Sequence, residues 1–391
     1  MEKIFGFIAD GIKSDSMATL HGMFGDPDYK LFDVKHGDFA EFIKKREFNG
    51  LNVDAAYGKK IMPLMSKNSE IARKLGYVNT VLKLHDGKLY GDNTDVFSFS
   101  YLLDFYNVDV KDKYCVIIGD GAYAAAVKHV LLEREAGAVA TLNLGHLSNI
   151  EKHTDCQMLI NTSTVGQGDS LGSAPVSLEK LGKLENVIDL IALPLKTKLA
   201  RDSQRMGIPA YNGIPMLVAS AKKSRELFYF ATIDNEHIAS VIARYTGCMI
   251  NISLIGLEGG NTRDIGKHLS NMLGRKLYDI DATIERLYGK DRDTMIEKNG
   301  LDEFRRAEHV ALEWAGKRNG VIIVAGEGVC DRADNRIPLE QNGIVVFLNS
   351  AVGDVERENS VTKLRSFAHI EIEEKGSVED VCRSILANIS F

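Results

Sequence analysis

The chain has 391 residues, 45% of them hydrophobic and 26% charged, with 35 glycines against 7 prolines. That ordinary globular mixture is long for one core, suits two or three domains, and argues against a proline-rich linker. A net charge of −6 gives no support for nucleic-acid binding, and five scattered cysteines without a CxxC argue against structural zinc and for reduced thiols. No window approaches a membrane span. The N-terminus enters a strand-like run with no signal peptide, so the expected location is cytoplasmic.

In chain order, residues 5–8 read as a strand, 39–45 as a short helix and 50–53 as a second strand. Helical spacing runs over 60–75, and segments 81–85 and 88–90 predict a hairpin around Asp86-Gly87. A helix at 97–106 leads into a new unit: strand 114–118, a glycine loop, an apolar helix 122–135, then strands 139–143, 158–161 and 187–190. Strands alternating with helices predict a parallel sheet covered on both faces. Residues 216–230 and 234–245 have helical patterns, which suggest that one of these helices returns to brace the first region. From Met249 a fresh strand is expected and the alternation repeats, with strands 250–255, 320–324, 343–348 and 368–372 and helices 264–273, 281–288, 301–316 and 377–388. The fold class is α/β throughout, and the last part forms a separate α/β domain. Its junction, 246–248, is too short for a flexible tether.

Residues 250–266 have the outline of a phosphate-binding loop, a β-branched strand followed by glycines and a helix. Gly256, Gly259 and Gly260 keep its shape, but Thr262 stands where the phosphate lysine belongs and Arg263 where a metal-binding hydroxyl belongs. A second glycine loop, Gly119-Asp120-Gly121-Ala122, follows a strand and opens a helix, the context in which backbone amides meet a dinucleotide pyrophosphate. Asp120 adds a negative charge there, Tyr123 is bulky, and the next strand ends at Asn143 with no acid for a ribose diol. The cofactor-facing candidates are Gly119, Gly121, Ala122 and Asn143. Two polar clusters, one around Asn52 to Lys60 and one joining Asn79-Thr80 to Asn93-Thr94-Asp95, suit a polyhydroxy ligand, and an Asp near a Lys can share proton transfer at a hydroxyl-bearing carbon. The same residues also serve as ordinary turn caps.

Over about the first 245 residues the landmarks Asn52-Val53, Val78-Asn79-Thr80, Gly91-Asp92-Asn93-Thr94-Asp95, Ile160-Asn161-Thr162-Ser163-Thr164-Val165-Gly166 and Asn212-Gly213-Ile214-Pro215-Met216 resemble shikimate dehydrogenase. The resemblance implies a substrate-binding domain over 1–100, completed by helices within 216–245, and a Rossmann-like domain over 101–215. It also implies reduction of 3-dehydroshikimate with NADPH by a lysine and an aspartate. The aspartate falls on Asp95 and a substrate-binding asparagine on Asn79. The lysine falls on Gly58, with Lys59 one step along. The substrate threonine falls on Asp54, the two carboxylate-holding serines on Asp15 and Met17, a tyrosine on Ala192 and a glutamine on Ser220.

Residues 249–391 resemble shikimate kinase through the loop, Leu277-Tyr278-Asp279-Ile280-Asp281, Phe304-Arg305 with Glu308, and Gly326-Glu327-Gly328. The resemblance implies shikimate binding by Asp281 and Arg305 and a magnesium role for Asp279. The family's lid is expected to be short or missing, with the chain running from Asn349 to Arg357 and almost directly to the last strand and with Arg357 and Arg365 as its remnants.

Three readings follow. In the first, the chain is a catalytically impaired fusion that binds a shikimate-like hydroxy acid or serves as a regulatory or scaffold protein, as a homo-oligomer or beside a pathway enzyme, with NADP doubtful and ATP and magnesium not expected. In the second, it is an NADP(H)-dependent oxidoreductase of altered specificity using Asp95 and Lys59 or Tyr57. In the third, it is a residual kinase.

Overall fold

A computed structural model describes residues 3–12, 15–350 and 358–389. The chain divides into two compact units, Met1–Ala192 with Thr197–Ala243 and Leu193–Lys196 with Arg244–Phe391. Among the described residues no helix is long and apolar enough to cross a membrane.

The first unit begins with β1 (Phe5–Ala9), α1 (Ser16–Met23), β2 (Lys30–Asp33), α2 (Phe39–Lys45), β3 (Gly50–Val53), α3 (Ala55–Ile61), β4 (Lys67–Asn68), α4 (Glu70–Leu75), β5 (Thr80–Lys83) and β6 (Leu89–Asp92). These strands form one mixed sheet in the order β2-β1-β3-β5-β6-β4, with β5 antiparallel to both β3 and β6. Every residue of β3 is buried, as its near-central place requires.

The unit continues with α5 (Asp95–Phe105), β7 (Tyr114–Ile118), α6 (Ala122–Glu133), β8 (Ala138–Leu142), β9 (Met158–Asn161), β10 (Asn186–Asp189), α7 (Lys198–Arg205), β11 (Ala210–Asn212), α8 (Ile214–Tyr229) and the first part of α9 (Asn235–Met249), whose residues from Arg244 on belong to the second unit. Five parallel strands make a second sheet, ordered β11-β10-β9-β7-β8. The end of α8 reaches the first sheet, where Phe228 stacks on Phe5 with ring centroids 4.9 Å apart. Gly50 leaves room for that ring, since a Cβ there would lie 2.5 Å from it.

The second unit holds β12 (Asn251–Gly256), α10 (Thr262–Leu273), β13 (Leu277–Asp279), α11 (Ile280–Tyr288), α12 (Arg292–Asn299), α13 (Leu301–Gly316), β14 (Ile322–Ala325), α14 (Arg336–Glu340), β15 (Gly343–Asn349), α15 (Glu358–Phe367), β16 (Ile370–Glu373) and α16 (Val378–Asn388). All five strands are parallel in the order β13-β14-β12-β15-β16. The chain leaves β12 toward one side of the sheet and later returns to the other, so the carboxyl end of β12 is a switch point where α/β sheets open a crevice. Side chains fix the helix starts around it. Asp279 caps α11 and Asp291 caps α12, while Ser377 and Asp380 form a capping box on α16.

Three segments depart from expectation. The helix expected over 60–75 is broken into the end of α3, a short 3-10 turn, β4 and α4, because Pro63 cannot continue the ladder and Ser69 starts a new helix by accepting the Ala72 N–H. The strand expected from Met249 starts at Asn251, since α9 extends through Met249. Between β15 and the last strand the chain does not run directly on. Helix α15 intervenes, burying Leu364 and Phe367 with Val361 partly buried beside them, at helical spacing that the sequence already carried. Arg357 lies outside the described residues.

Candidate functional site

In the first unit a cavity of about 490 Å³ opens between the carboxyl ends of the two sheets. Asp95 lines it from the first turn of α5. Its Oδ2 accepts the Tyr77 hydroxyl at 2.7 Å and its own N–H donates to Asn93 Oδ1 at 2.9 Å. Burial raises its carboxyl to about 6, against hydrogen bonds from Tyr77, Asn79 and Asn93 that favour the ionised form. Asp95 is therefore a group able to take or give a proton near neutral pH.

Asn79 faces the same cavity but is heavily committed. Its Oδ1 accepts the Thr94 N–H at 2.9 Å and the Thr80 hydroxyl at 3.0 Å, and its Nδ2 donates to Thr94 Oγ1 at 3.1 Å. Thr94 Oγ1 lies 3.0 Å from Ser220 Oγ, which joins α8 to the cluster. Asn52 is anchored from behind: its Oδ1 accepts the Tyr29 hydroxyl at 2.7 Å, with His21 Nε2 at 3.2 Å. His21 is fully buried and stacked on Tyr29, and burial lowers its pKa, so it packs as a neutral ring.

Asp54 lines the cavity while its Oδ1 caps α3 by accepting the Ala56 N–H at 2.9 Å. Gly58 lies on the buried side of α3, where a Cβ would meet the Val78 carbonyl oxygen at 2.9 Å and the Tyr77 ring at 3.3 Å. Lys59, the next residue, is exposed and is not among those lining the cavity. Tyr57 points elsewhere, donating to the Val34 carbonyl at 2.6 Å and stacking on Phe39. Met17, Ala192 and Ser220 line the cavity. Among the described lining residues the charged groups are the two carboxylates, Asp54 and Asp95.

The loop after β7 is built for close approach. Gly119 has φ +106, and a Cβ there would lie 2.6 Å from Thr162 Oγ1. Gly121 opens α6 with free space beside it, Ala122 begins the helix, and the first turn carries no acid. Those unclaimed amides fit a pyrophosphate. Asn143 follows β8, with its Oδ1 2.9 Å from His146 Nδ1.

In the second unit a cavity of about 330 Å³ lies at the carboxyl end of β12, lined by Gly256, Gly259, Gly260, Thr262 and Arg263 together with Asp279, Asp281, Arg305, Glu308 and others. Five carboxylates face three arginines among its lining residues, and every one of those arginines is paired. Arg263 Nε lies 2.5 Å from Asp279 Oδ2, Arg292 Nη1 lies 2.8 Å from Glu258 Oε1, and Arg305 lies 3.2 Å from Glu308 and 3.1 Å from Asp331. Asp279 also caps α11, so its carboxylate is engaged twice. Burial raises Asp281, helped by Asp279, and raises Glu308 to about 7 although Arg305 opposes it. Among the described residues no group of three or more His, Cys, Asp or Glu is placed to hold a metal ion.

The structure thus brings Asn52, Asn79 and Asp95 to one cavity and the phosphate-loop glycines, Thr262, Arg263, Asp279, Asp281 and Arg305 to another. Sequence reading missed Tyr77, whose hydroxyl reaches Asp95 across 18 residues. It also missed Glu374, whose carboxylate meets the phosphate loop 113 residues away, a pairing that no local pattern signals.

Residues 262–386 match the shikimate kinase family model. A shikimate dehydrogenase (NADP(+)) from Clostridium perfringens is 28% identical over 256 residues, covering 59% of this chain and 94% of its own length. Among solved structures, shikimate dehydrogenase 1 from Peptoclostridium difficile superposes with a TM-score of 0.57 at 26% identity, over 62% of this chain and 98% of its own. A chorismate mutase/shikimate 5-dehydrogenase fusion protein from Clostridium acetobutylicum gives a TM-score of 0.57 at 27% identity, over 62% of this chain and 96% of its own.

Proposed function

We propose that this chain, a shikimate-dehydrogenase-like region fused to a shikimate-kinase-like one, is a catalytically impaired protein that binds a small hydroxylated ligand in its first unit and acts as a binding, regulatory or scaffold protein beside the shikimate pathway. The observation that carries this reading is the environment of Gly58. The resemblance puts the catalytic lysine at this position, and a Cβ here already presses the Val78 carbonyl at 2.9 Å. Lys59 sits one helical step away and is exposed. Asp95 then has a titratable carboxyl without its partner, and loss of one proton-transfer group costs on the order of 10²–10⁴ in rate. Asp54 and Met17, standing for a threonine and a serine, supply a charge and a thioether where a carboxylate ligand needs donors.

A second reading has its own support. The loop at Gly119 and Gly121 with the α6 amides fits the pyrophosphate of NADP(H), a cofactor that would supply a hydride when bound. In that reading Asp95, near neutral in pKa, holds or releases the proton at the substrate oxygen, and Tyr77 and Asn79 orient it.

Calorimetry and thermal shift on the full chain with shikimate, dehydroshikimate, quinate, NAD, NADP and ATP separate the two. Saturable binding of a hydroxylated ring ligand with no change in nicotinamide absorbance is the expected result. Steady oxidation of NADPH with any ring ketone would replace the first reading by the second.

A further inference from the structure

The kinase-like unit implies a nucleoside triphosphate with magnesium at the loop after β12, and the residues present do not fit it. In a working phosphate loop the backbone N–H groups are the anion's first partners. Here the chain's own carboxylates have taken two of those positions. The Asn261 N–H donates to Glu374 Oε2 at 3.2 Å, and the Asn261 side-chain amide donates to the same oxygen at 3.1 Å. The Glu258 N–H donates to Glu327 Oε2 at 3.1 Å.

We infer that the phosphate loop is sealed in cis, with Glu374 and Glu327 occupying its amide nest as internal anions so that nucleotide phosphate is excluded. Glu374 is held rigidly enough to do this. It lies one residue beyond β16, whose register on β15 pairs Glu373 with Asn349, and its own N–H donates to the Asn349 carbonyl at 3.0 Å. Its second oxygen, Oε1, is buried beside Gly260, where a Cβ would come within 3.1 Å of it, so the carboxylate fills the space over the glycine. Thr262 Oγ1 points back at Gly256 from the start of α10, buried and without a hydrogen-bond partner. That is the position from which the phosphate lysine would reach outward. Arg263 is no substitute, because Asp279 holds its guanidinium at 2.5 Å. An incoming phosphate therefore meets two fixed negative charges and already occupied donors.

The test uses the full-length protein with sodium tripolyphosphate and with magnesium ATP as probes, read by calorimetry, and amide hydrogen exchange at the loop. The wild type is expected to show no saturable binding of either probe up to about 5 mM and slow exchange at Asn261. Glu374→Ala together with Glu327→Ala is expected to gain tripolyphosphate affinity by about tenfold or more, and Glu374→Ala alone to speed Asn261 exchange by about tenfold. Glu374→Gln, which keeps the shape and the acceptor, is expected to retain slow exchange. Tripolyphosphate binding by the wild type below about 1 mM would overturn the inference, as would a folded Glu374→Ala variant with unchanged Asn261 exchange. The wild-type titration stands by itself where an alanine variant does not fold.

Discussion

Tyr77 donates its phenolic hydrogen to Asp95 Oδ2 at 2.7 Å, so the carboxyl that faces the larger cavity is held by a residue that does not line it. This bond favours the ionised form, yet burial outweighs it and leaves Asp95 with a pKa of about 6. The site keeps a poised acid at a cost in stability whenever that acid is charged.

The sign of that cost gives the first prediction. The folded pKa of about 6 lies above the unfolded value, which is about 3.9. The unfolded chain therefore sheds its proton first as pH rises, and the contribution of Asp95 to stability falls between the two values and stays low above them. Asp95→Asn, which keeps an oxygen for Tyr77, is expected to stabilise the protein by about 2 kcal/mol at pH 8 and to change little at pH 4. Denaturant melts at the two pH values check this, and an equal effect at both would contradict it.

Gly58 gives the second. A methyl group there meets the Val78 carbonyl at 2.9 Å, while alanine in a helix gains about 1 kcal/mol over glycine. The overpacking outweighs the gain, and Gly58→Ala is expected to lose about 1 kcal/mol net in urea unfolding. A more stable variant would show that the site has room for a side chain and would reopen the question of a lysine.

Much of the frame was legible because it rests on local pattern. The buried runs of β7, β9, β12 and β14 are short, apolar and bounded by turns, and the helices carry their apolar spacing openly. The break inside 60–75 was less visible because hydrophobic spacing persists across Pro63 and Ser69. In the sites, residues on adjacent turns such as Asn79 and Asp95 could be named from spacing and resemblance. Ser220 meets Thr94 across 126 residues through the packing of α8 on the start of α5, and Glu374 meets Asn261 across 113 through the register of β16 on β15, and neither follows from local pattern.

Glu308 gives the third prediction. It is buried and raised to about 7, and Arg305 at 3.2 Å opposes that rise. Arg305→Ala removes the counter-charge from both Glu308 and Asp331, and the share that belongs to Glu308 is lost only when Glu308 is ionised. The expected loss is larger by about 1 kcal/mol at pH 8 than at pH 5, because at pH 5 Glu308 is protonated in either protein and at pH 8, about one unit above its pKa, the freed carboxyl can still take up a proton. A loss independent of pH would mean that Arg305 acts through Asp331 or through packing on Gly328 instead.

If the proposed reading holds, neither unit catalyses the reaction of the family it resembles. The most direct measurement is one multiple-turnover assay of the full-length protein, following NADPH absorbance with 3-dehydroshikimate and ADP release from shikimate with magnesium ATP. Both signals are expected to stay at the no-enzyme background. Sustained turnover in either channel that disappears in Asp95→Asn or in Asp281→Asn would contradict it.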